Sequence, residues 1–293
     1  MISVPGPDPA GWPEAGGWLR RARRMGSLRW SDLGPREVPA PEPVGELAAW
    51  LAGAADLWWE AARRPDPFTL VVDSGDDGTL ARRVLELGPA CLESLRYVLV
   101  RTGPVPAVMA ARLALEEPAF LFPATSPEEG EEEAAGATGV GPLVTCVPAP
   151  PAVPGDGVVV AVRTVGRLPS DRLDYGDGGW SEVRLADISG RLVEVTSALG
   201  PDAGLAAPVA AGPGRYAVLN GALDWLRDTL STEMRGRVAV VDRWTERTVP
   251  IPDGEAPPLA LDQMARVRPP ESPRPEPVAA GLSVVTWRLN AVG

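Results

Sequence analysis

Apolar and polar positions change period along the chain, and this change predicts strands that are followed by helices. Short apolar runs rich in β-branched residues begin at Phe68, Arg96, Gly157 and Arg237, and such runs are typical of strands buried on both faces of a parallel sheet. Residues 44–64 show apolar side chains at helical spacing instead. This order of elements predicts an α/β fold with a mostly parallel central sheet and helices on both faces.

One stretch, residues 67–88, combines a strand, a glycine turn and a helix without a gap. The strand covers 68–72, the turn 73–78, and an amphipathic helix begins at Thr79. Such a unit can bind a nucleotide-like cofactor, because backbone N–H groups and a helix N-terminus face the crevice beyond the strand. An Asp-Asp-Gly turn is also an ordinary tight connection, so the local pattern leaves both interpretations open.

The second half of the chain adds antiparallel and irregular segments to this plan. Residues 180–196 alternate around an Asp-Ile-Ser-Gly turn and predict a β-hairpin. An amphipathic helix is predicted within 215–234, an irregular proline-rich segment over 254–277 and a closing strand over 281–292. Five glutamates fall within 123–141, and their charge density predicts a solvated surface loop.

Composition removes several kinds of chemistry. Among 293 residues there is no Lys and no His, which excludes histidine general bases, Ser-His-Asp catalysis and histidine-ligated zinc. The two cysteines lack any CxxC spacing, and we predict no metal. The net charge of −11 argues against nucleic acid or an anionic membrane as partner. We expect a cytoplasmic protein, since no signal-like segment begins the chain. The abundance of Ala, Gly, Pro, Arg and Trp predicts a GC-rich bacterial source.

Sequence pieces further along the chain resemble the successive landmarks of one enzyme family. They are GTLARRVL, ACLESLRYVLV, DGVVVAVRTVGRLPSD, DGGWSEVRL, LDWLRDTL and RGRVAVVDR. In order and spacing they resemble the MidA-like class I S-adenosylmethionine (SAM)-dependent methyltransferases, which include the mitochondrial enzyme that methylates an arginine of a complex I subunit. The resemblance covers about residue 68 to the C-terminus. It implies a Rossmann-like class I methyltransferase fold, a hairpin insertion at 180–196 and SAM as the cofactor.

The resemblance also implies which residues line a cofactor site. The candidates lie in the turn and at the ends of the predicted strands: Asp73, Gly75, Asp76, Gly78, Arg101 and Asp242. Placing Gly78 on the conserved family glycine puts Val72 where the family has an acid. Arg101 stands where another acid would accept hydrogen bonds from ribose hydroxyls, and a guanidinium has only donors. No catalytic residue is identified.

These departures favour one of two functional hypotheses. The first is a degenerate family member that acts as a non-catalytic partner or regulator, because the substitutions fall at cofactor positions while the strand and helix patterning is intact. Its protein partner would bind the Trp- and Arg-rich N-terminal half. The alternative is an active SAM-dependent methyltransferase acting on a nitrogen or oxygen of a protein or small molecule. We predict an N-terminal partner or substrate segment over 1–66 and the methyltransferase domain over 67–293.

Overall fold

The computed structural model describes residues 15–33, 43–75, 77–101, 104–116, 142–149, 155–177, 179–199, 212–231, 234–251, 257–272 and 274–289. The chain forms two compact units that alternate along the sequence. The parallel-sheet unit comprises Val38–Thr164, Asp228–Asp242 and Pro270–Gly293, and the antiparallel unit comprises Met1–Glu37, Val165–Arg227 and Arg243–Pro269. Within the part of the chain that the structure describes, every helix is too short or too polar to span a bilayer.

The elements follow the chain in this order. The helices are α1 (Ala15–Met25), α2 (Val44–Ala61), α3 (Thr79–Glu86), α4 (Ala107–Leu113), α5 (Asn220–Leu230) and α6 (Leu261–Met264). The first seven strands are β1 (Leu28–Arg29), β2 (Phe68–Asp73), β3 (Leu95–Val100), β4 (Leu143–Val147), β5 (Gly155–Val162), β6 (Asp171–Gly176) and β7 (Gly179–Ile188). The others are β8 (Arg191–Ala198), β9 (Gly214–Val218), β10 (Met234–Asp242), β11 (Trp244–Thr245), β12 (Leu259–Ala260), β13 (Glu276–Ala279) and β14 (Leu282–Leu289).

The parallel-sheet unit contains a seven-stranded sheet in the order β13-β14-β10-β5-β2-β3-β4. The five strands from β10 to β4 pair in parallel, whereas β14 runs antiparallel to β10 and to β13. The predicted fold class, a mixed α/β fold with a mostly parallel central sheet, is confirmed. Each of the predicted strands that begin near Phe68, Arg96, Gly157 and Arg237 is one of these parallel strands.

The apolar runs bury both faces of this sheet. Phe68, Leu70 and Val72 belong to a core cluster that also contains apolar residues of α2, α3 and α4. Val71 and Val240, which point to the opposite face, are also fully buried. Because side chains alternate between the two faces of a strand, a run without polar residues is what a sheet covered on both sides requires.

The antiparallel unit is built around the hairpin of β7 and β8, and the predicted hairpin at 180–196 is confirmed. One edge of β7 pairs with β8, and the other pairs with β6 and β1, while β9 adds to β6. Apolar side chains of α1 and β1 pack against this sheet. The unit also buries charge, because Glu194 contacts both Arg172 and Arg215.

Of three further sequence predictions, one is confirmed with narrower bounds, one needs correction and one lies outside the described residues. The helix predicted within 215–234 occupies Asn220–Leu230, and the strand β9 precedes it at Gly214–Val218. The segment 254–277, predicted as irregular, contains β12, α6 and the beginning of β13. The acidic segment 123–141 lies entirely outside the described residues.

Candidate functional site

The order of the parallel strands locates a crevice at the carboxyl ends of the strands. From β2 the chain proceeds to β3 and β4 on one side, and then to β5 and β10 on the other side. This reversal makes the gap between β2 and β5 the topological switch point. In open α/β sheets, ligands bind beyond the carboxyl ends of the strands at such a point. The residues that end β2 and follow β5 therefore form the candidate site, which we call the switch-point crevice.

Asp73 is the last residue of β2 and lies at this crevice. Burial raises the pKa of its carboxyl to about 6, and a side-chain hydrogen bond from Thr164 opposes that increase. The Thr164 hydroxyl also lies 3.4 Å from the Asp73 carbonyl oxygen, to which it donates. Carboxylates with a raised pKa in a cleft are common among ligand-binding and catalytic groups. Near neutral pH the Asp73 carboxylate carries a negative charge.

The turn after Asp73 has a backbone that only some residues tolerate. Gly75 has a φ of 62° and Gly78 a φ of 87°, both in the left-handed region that favours glycine. A Cβ atom at Gly78 would lie 2.7 Å from Leu113 Cδ1 and 3.2 Å from Met109 Cγ. The absence of a side chain at Gly78 therefore allows α4 to pack closely. Asp76 lies outside the described residues.

Asp77 holds the beginning of α3. Its carboxylate accepts a hydrogen bond from the Thr79 backbone N–H at 3.2 Å and another from the Thr79 hydroxyl. The hydrogen bond from the Thr79 hydroxyl is the main cause that lowers the pKa of Asp77. Side-chain oxygens that accept from the first N–H groups of a helix stabilise its N-terminus. Asp77 was not among the predicted site residues, and this contact gives it a structural role.

The residue that follows β5 has an unusual backbone. Arg163 has a φ of 59°, which is uncommon for a residue with a side chain. Its N–H donates to the carbonyl of Val241 at 2.8 Å, so the backbone is tied to β10. Such outliers concentrate at functional sites, where the surrounding structure holds them. Arg163 and Thr164 were not selected from the sequence, although two polar residues directly after an apolar strand are a usable signal.

The remaining predicted residues lie on neighbouring strand ends. Arg101 follows β3, and its N–H donates to the Val147 carbonyl at 2.8 Å. Its guanidinium opposes the increase that burial causes in the pKa of Cys146 on β4. Asp242, which is buried, ends β10. Asp73 is level with Val240, because both pair with Ala161 of the intervening β5. Two strand spacings and two further residues along β10 therefore put the backbones of Asp73 and Asp242 about 12 Å apart.

The structure also shows which residue of β2 reaches the crevice. Val72, which the alignment placed at the acid position, has none of its surface exposed and lies in the core cluster. The next residue, Asp73, is the one that ends the strand. An acid therefore stands at the carboxyl end of β2, one position later than the alignment assigned. The roles predicted for the individual cofactor residues stay predictions.

The N-terminal segment that was predicted to bind a partner makes several contacts within its own unit. Trp30 is buried, and the Arg172 guanidinium lies 3.6 Å from the centre of its ring. Arg23 pairs with Asp187, and Arg21 lies 3.7 Å from Asp32. These contacts give part of the Trp- and Arg-rich segment a packing role. A partner-binding role stays a prediction.

No protein-family model and no curated protein matches this chain. Two crystal structures from Burkholderia thailandensis, both of the same superfamily, do match. One is an uncharacterized protein with 18% identity and a TM-score of 0.59, covering 91% of this chain and 78% of that chain. The other, inferred to be a methyltransferase and bound to S-adenosyl-homocysteine, has 17% identity and a TM-score of 0.62, with coverages of 91% and 79%.

At this level of identity the comparison shows the fold alone. The chain has a methyltransferase-like fold. That result agrees with the strand order and with the fold class predicted from the sequence. A specific relationship to the MidA-like proteins stays a prediction, as does degeneracy of the cofactor site.

Proposed function

We propose that this protein binds SAM in the switch-point crevice and is a SAM-dependent methyltransferase. The observation that carries the proposal is the position of Asp73, a half-buried acid at the carboxyl end of β2 beside Thr164. The fold shared with a structure bound to S-adenosyl-homocysteine supports the choice of ligand. The acceptor would be a nitrogen or oxygen of a protein or small molecule.

The described residues fit a cationic nucleoside ligand at the acidic part of the crevice. When bound, SAM supplies an electrophilic methyl group on a sulfonium. Above its pKa of about 6 the Asp73 carboxylate provides a negative charge for the cationic end of such a ligand. The left-handed backbone at Gly75 lets the chain turn away from β2 directly after that acid. The hydrogen bond from the Thr164 hydroxyl to the Asp73 carbonyl oxygen holds the segment after β5 beside the end of β2.

Calorimetric titration with SAM and S-adenosyl-homocysteine at pH 8 tests this assignment. We expect saturable binding by the wild type and at least a tenfold loss in Asp73→Asn, because a charge-assisted interaction is worth about 1.5–3 kcal/mol. Asp77→Asn is the matched control: it removes a carboxylate of the same turn, and the asparagine side-chain oxygen can still accept the hydrogen bonds from Thr79. Affinity should also fall between pH 8 and pH 5.5 as Asp73 becomes protonated. Equal affinities of Asp73→Asn and wild type would contradict the proposal.

The second candidate function is a non-catalytic partner or regulator that retains the fold. Arg101 at the end of β3 favours it, because a guanidinium cannot accept hydrogen bonds from ribose hydroxyls and repels a sulfonium. The same titration distinguishes the two functions: no saturable binding of either ligand at millimolar concentration would support this second candidate. If Arg101 does border the ribose, Arg101→Glu should increase the affinity for SAM. An unchanged affinity would place Arg101 outside the site.

A further inference from the structure

The helix α2 carries apolar residues on two opposite faces. Its inner face, which includes Leu47 and Leu51, is buried in the core cluster of the parallel-sheet unit. On its outer face Leu57 is 69% exposed. The residues at the same four-residue spacing are exposed as well: Gly45, Ala49, Gly53 and Ala61. The outer face of a surface helix ordinarily carries polar side chains, so an apolar outer face indicates a contact surface.

Two half-buried tryptophans widen this outer face. Trp50 precedes Gly53 by about one turn, and Trp58 follows Leu57 directly. The two rings pack edge-on with their centres 5.9 Å apart, and both residues keep part of their surface exposed. Tryptophan is enriched where protein surfaces meet. We call these exposed and half-exposed apolar residues the α2 face: Ala49, Trp50, Gly53, Leu57, Trp58 and Ala61.

The α2 face combines a projecting side chain with a gap that can receive one. Leu57 projects from the helix, whereas Gly53, one turn earlier, has no side chain. Beyond the backbone of its own helix, no atom lies within 4 Å of the place where a Cβ of Gly53 would stand. Side chains four residues apart form a ridge that packs into the groove of another helix. The leucine and the glycine of this ridge therefore suit a second copy of the same ridge.

An antiparallel pair of α2 helices brings these features together. When Leu57 of each copy is placed over Gly53 of the other, the same register places Ala49 opposite Ala61. It also places Glu46 opposite Arg64. A two-fold axis repeats each of these contacts, so one set of complementary residues serves both copies.

The charges at the two ends of α2 complement each other in this register. Glu46 lies in the first turn, and its carboxylate accepts a hydrogen bond from the Ala280 N–H at 3.3 Å. Arg64 follows the last turn, where it pairs with Glu60 at 3.1 Å and lies 5.5 Å from the centre of the Trp59 ring. A guanidinium has five N–H donors, so Arg64 can bind a second carboxylate beside Glu60. A parallel pair would instead bring like charges together at each end.

We propose that the α2 face binds a second copy of this chain as a symmetric antiparallel pair of α2 helices. Leu57 of each copy fills the gap at Gly53 of the other, and an ion pair between Glu46 and Arg64 closes each end. One helix from each copy is a small contact, since standard interfaces bury about 800 Å² per partner. The dimer therefore forms in the micromolar concentration range. This interface is independent of the proposed methyltransferase function.

Sedimentation equilibrium of the full chain between about 5 and 200 μM tests the proposal. The average mass of the wild type should rise with concentration from the monomer toward twice that value. Leu57→Gln should weaken dimerisation at least tenfold, because it removes the projecting apolar group from both copies. Met25→Gln is the matched control, since Met25 is an apolar residue of α1 that is 53% exposed. A wild type that stays monomeric, or unchanged dimerisation in Leu57→Gln, would overturn the proposal.

Gly53→Gln separates an effect on the interface from an effect on folding. Glutamine is a better helix former than glycine, and its Cβ meets no atom beyond the backbone of its own helix. The melting temperature of the dilute monomer should therefore not fall. The glutamine side chain occupies the space that Leu57 of the other copy needs, so dimerisation should weaken at least tenfold. Wild-type dimerisation by Gly53→Gln would contradict this packing and the proposal with it.

Charge reversal tests the antiparallel register. Glu46→Arg and Arg64→Glu should each weaken dimerisation at least threefold, because like charges then meet at both ends. The double variant places opposite charges together again and should dimerise within about twofold of the wild type. Failure of the double variant to recover the affinity of the wild type would rule out the antiparallel pair.

Discussion

The hydroxyl of Thr164 lies 3.4 Å from the backbone carbonyl oxygen of Asp73 and donates a hydrogen bond to it. This contact joins the end of β2 to the segment that follows β5, at the point where the strand order reverses. The same Thr164 side chain also opposes the increase that burial causes in the pKa of Asp73. Burial is the main cause of the raised pKa of Asp73, and Thr164 contributes both to the position of this acid and to its charge.

The ionisation of Asp73 should appear in the pH dependence of stability. Its pKa in the folded protein is about 6, above the ordinary value of 3.8, so the folded state binds this proton more tightly than the unfolded state. The resulting stabilisation is fully present below the ordinary value and is lost as pH rises through about 6. Asp73→Asn lacks this loss. The melting temperature of the variant minus that of the wild type should therefore increase from pH 4 to pH 7, and a constant difference would contradict the burial of this acid.

Gly78→Ala should destabilise the protein by about 2–4 kcal/mol. The substitution adds backbone strain at a φ of 87° and places a Cβ 2.7 Å from Leu113 Cδ1. Urea denaturation of Gly78→Ala, Leu113→Ala and the double variant measures the coupling between them. Leu113→Ala removes the close atom, so the double variant should lose less than the sum of the two single losses. Strict additivity would mean that backbone strain alone makes the glycine necessary.

Gly236→Ala should be more damaging than any substitution at an exposed position. The new Cβ would lie 1.8 Å from the backbone oxygen of Gly157, so the pairing of β10 with β5 must open. We expect a loss of more than about 4 kcal/mol, measured as soluble yield and denaturation midpoint. Gly53→Ala on α2 is the control, since nothing lies within 4 Å of its added Cβ. That variant should gain about 0.5–1 kcal/mol from helix propensity.

Glu194 should be essential to the antiparallel unit. It lies 3.3 Å from Arg172 and 2.8 Å from Arg215, and all three side chains are mostly buried. Removing one partner from a buried ion pair leaves charge without compensation, so Glu194→Gln should cost about 3 kcal/mol. Glu60→Gln removes an exposed pair with Arg64 and should change the stability by less than about 0.5 kcal/mol. Equal effects of the two variants in chemical denaturation would contradict the buried network.

The sequence determined four of the five parallel strands, all but β4, and the helices α2 and α3, because their periods are local properties of the residues. The central runs Leu70–Val72 of β2, Val158–Val162 of β5 and Val238–Val241 of β10 lack polar side chains, and this pattern is typical of strands covered on both sides. The helix α2 begins at the predicted Val44 and ends three residues before the predicted end. The hairpin of β7 and β8 follows from a local turn signal.

Tertiary structure decided the elements whose state depends on distant pairing. Gly214–Val218 was not predicted as a strand, and it forms β9 because it pairs with β6. The strand β13 contains Pro277 and exists at the sheet edge through its pairing with β14, where proline is tolerated. Propensity is a weak prior that such contacts override.

The switch-point crevice also depended partly on sequence and partly on tertiary structure. The sequence indicated that the turn after β2 could bind a cofactor, and it named Asp73 and Gly75. Only the fold shows that Val72 points into the core while Asp73 ends the strand, because that distinction depends on which residue first leaves the sheet. The pairing of Arg237 with Arg288 had no sequence signal, since these residues become neighbours only through the antiparallel register of β10 and β14.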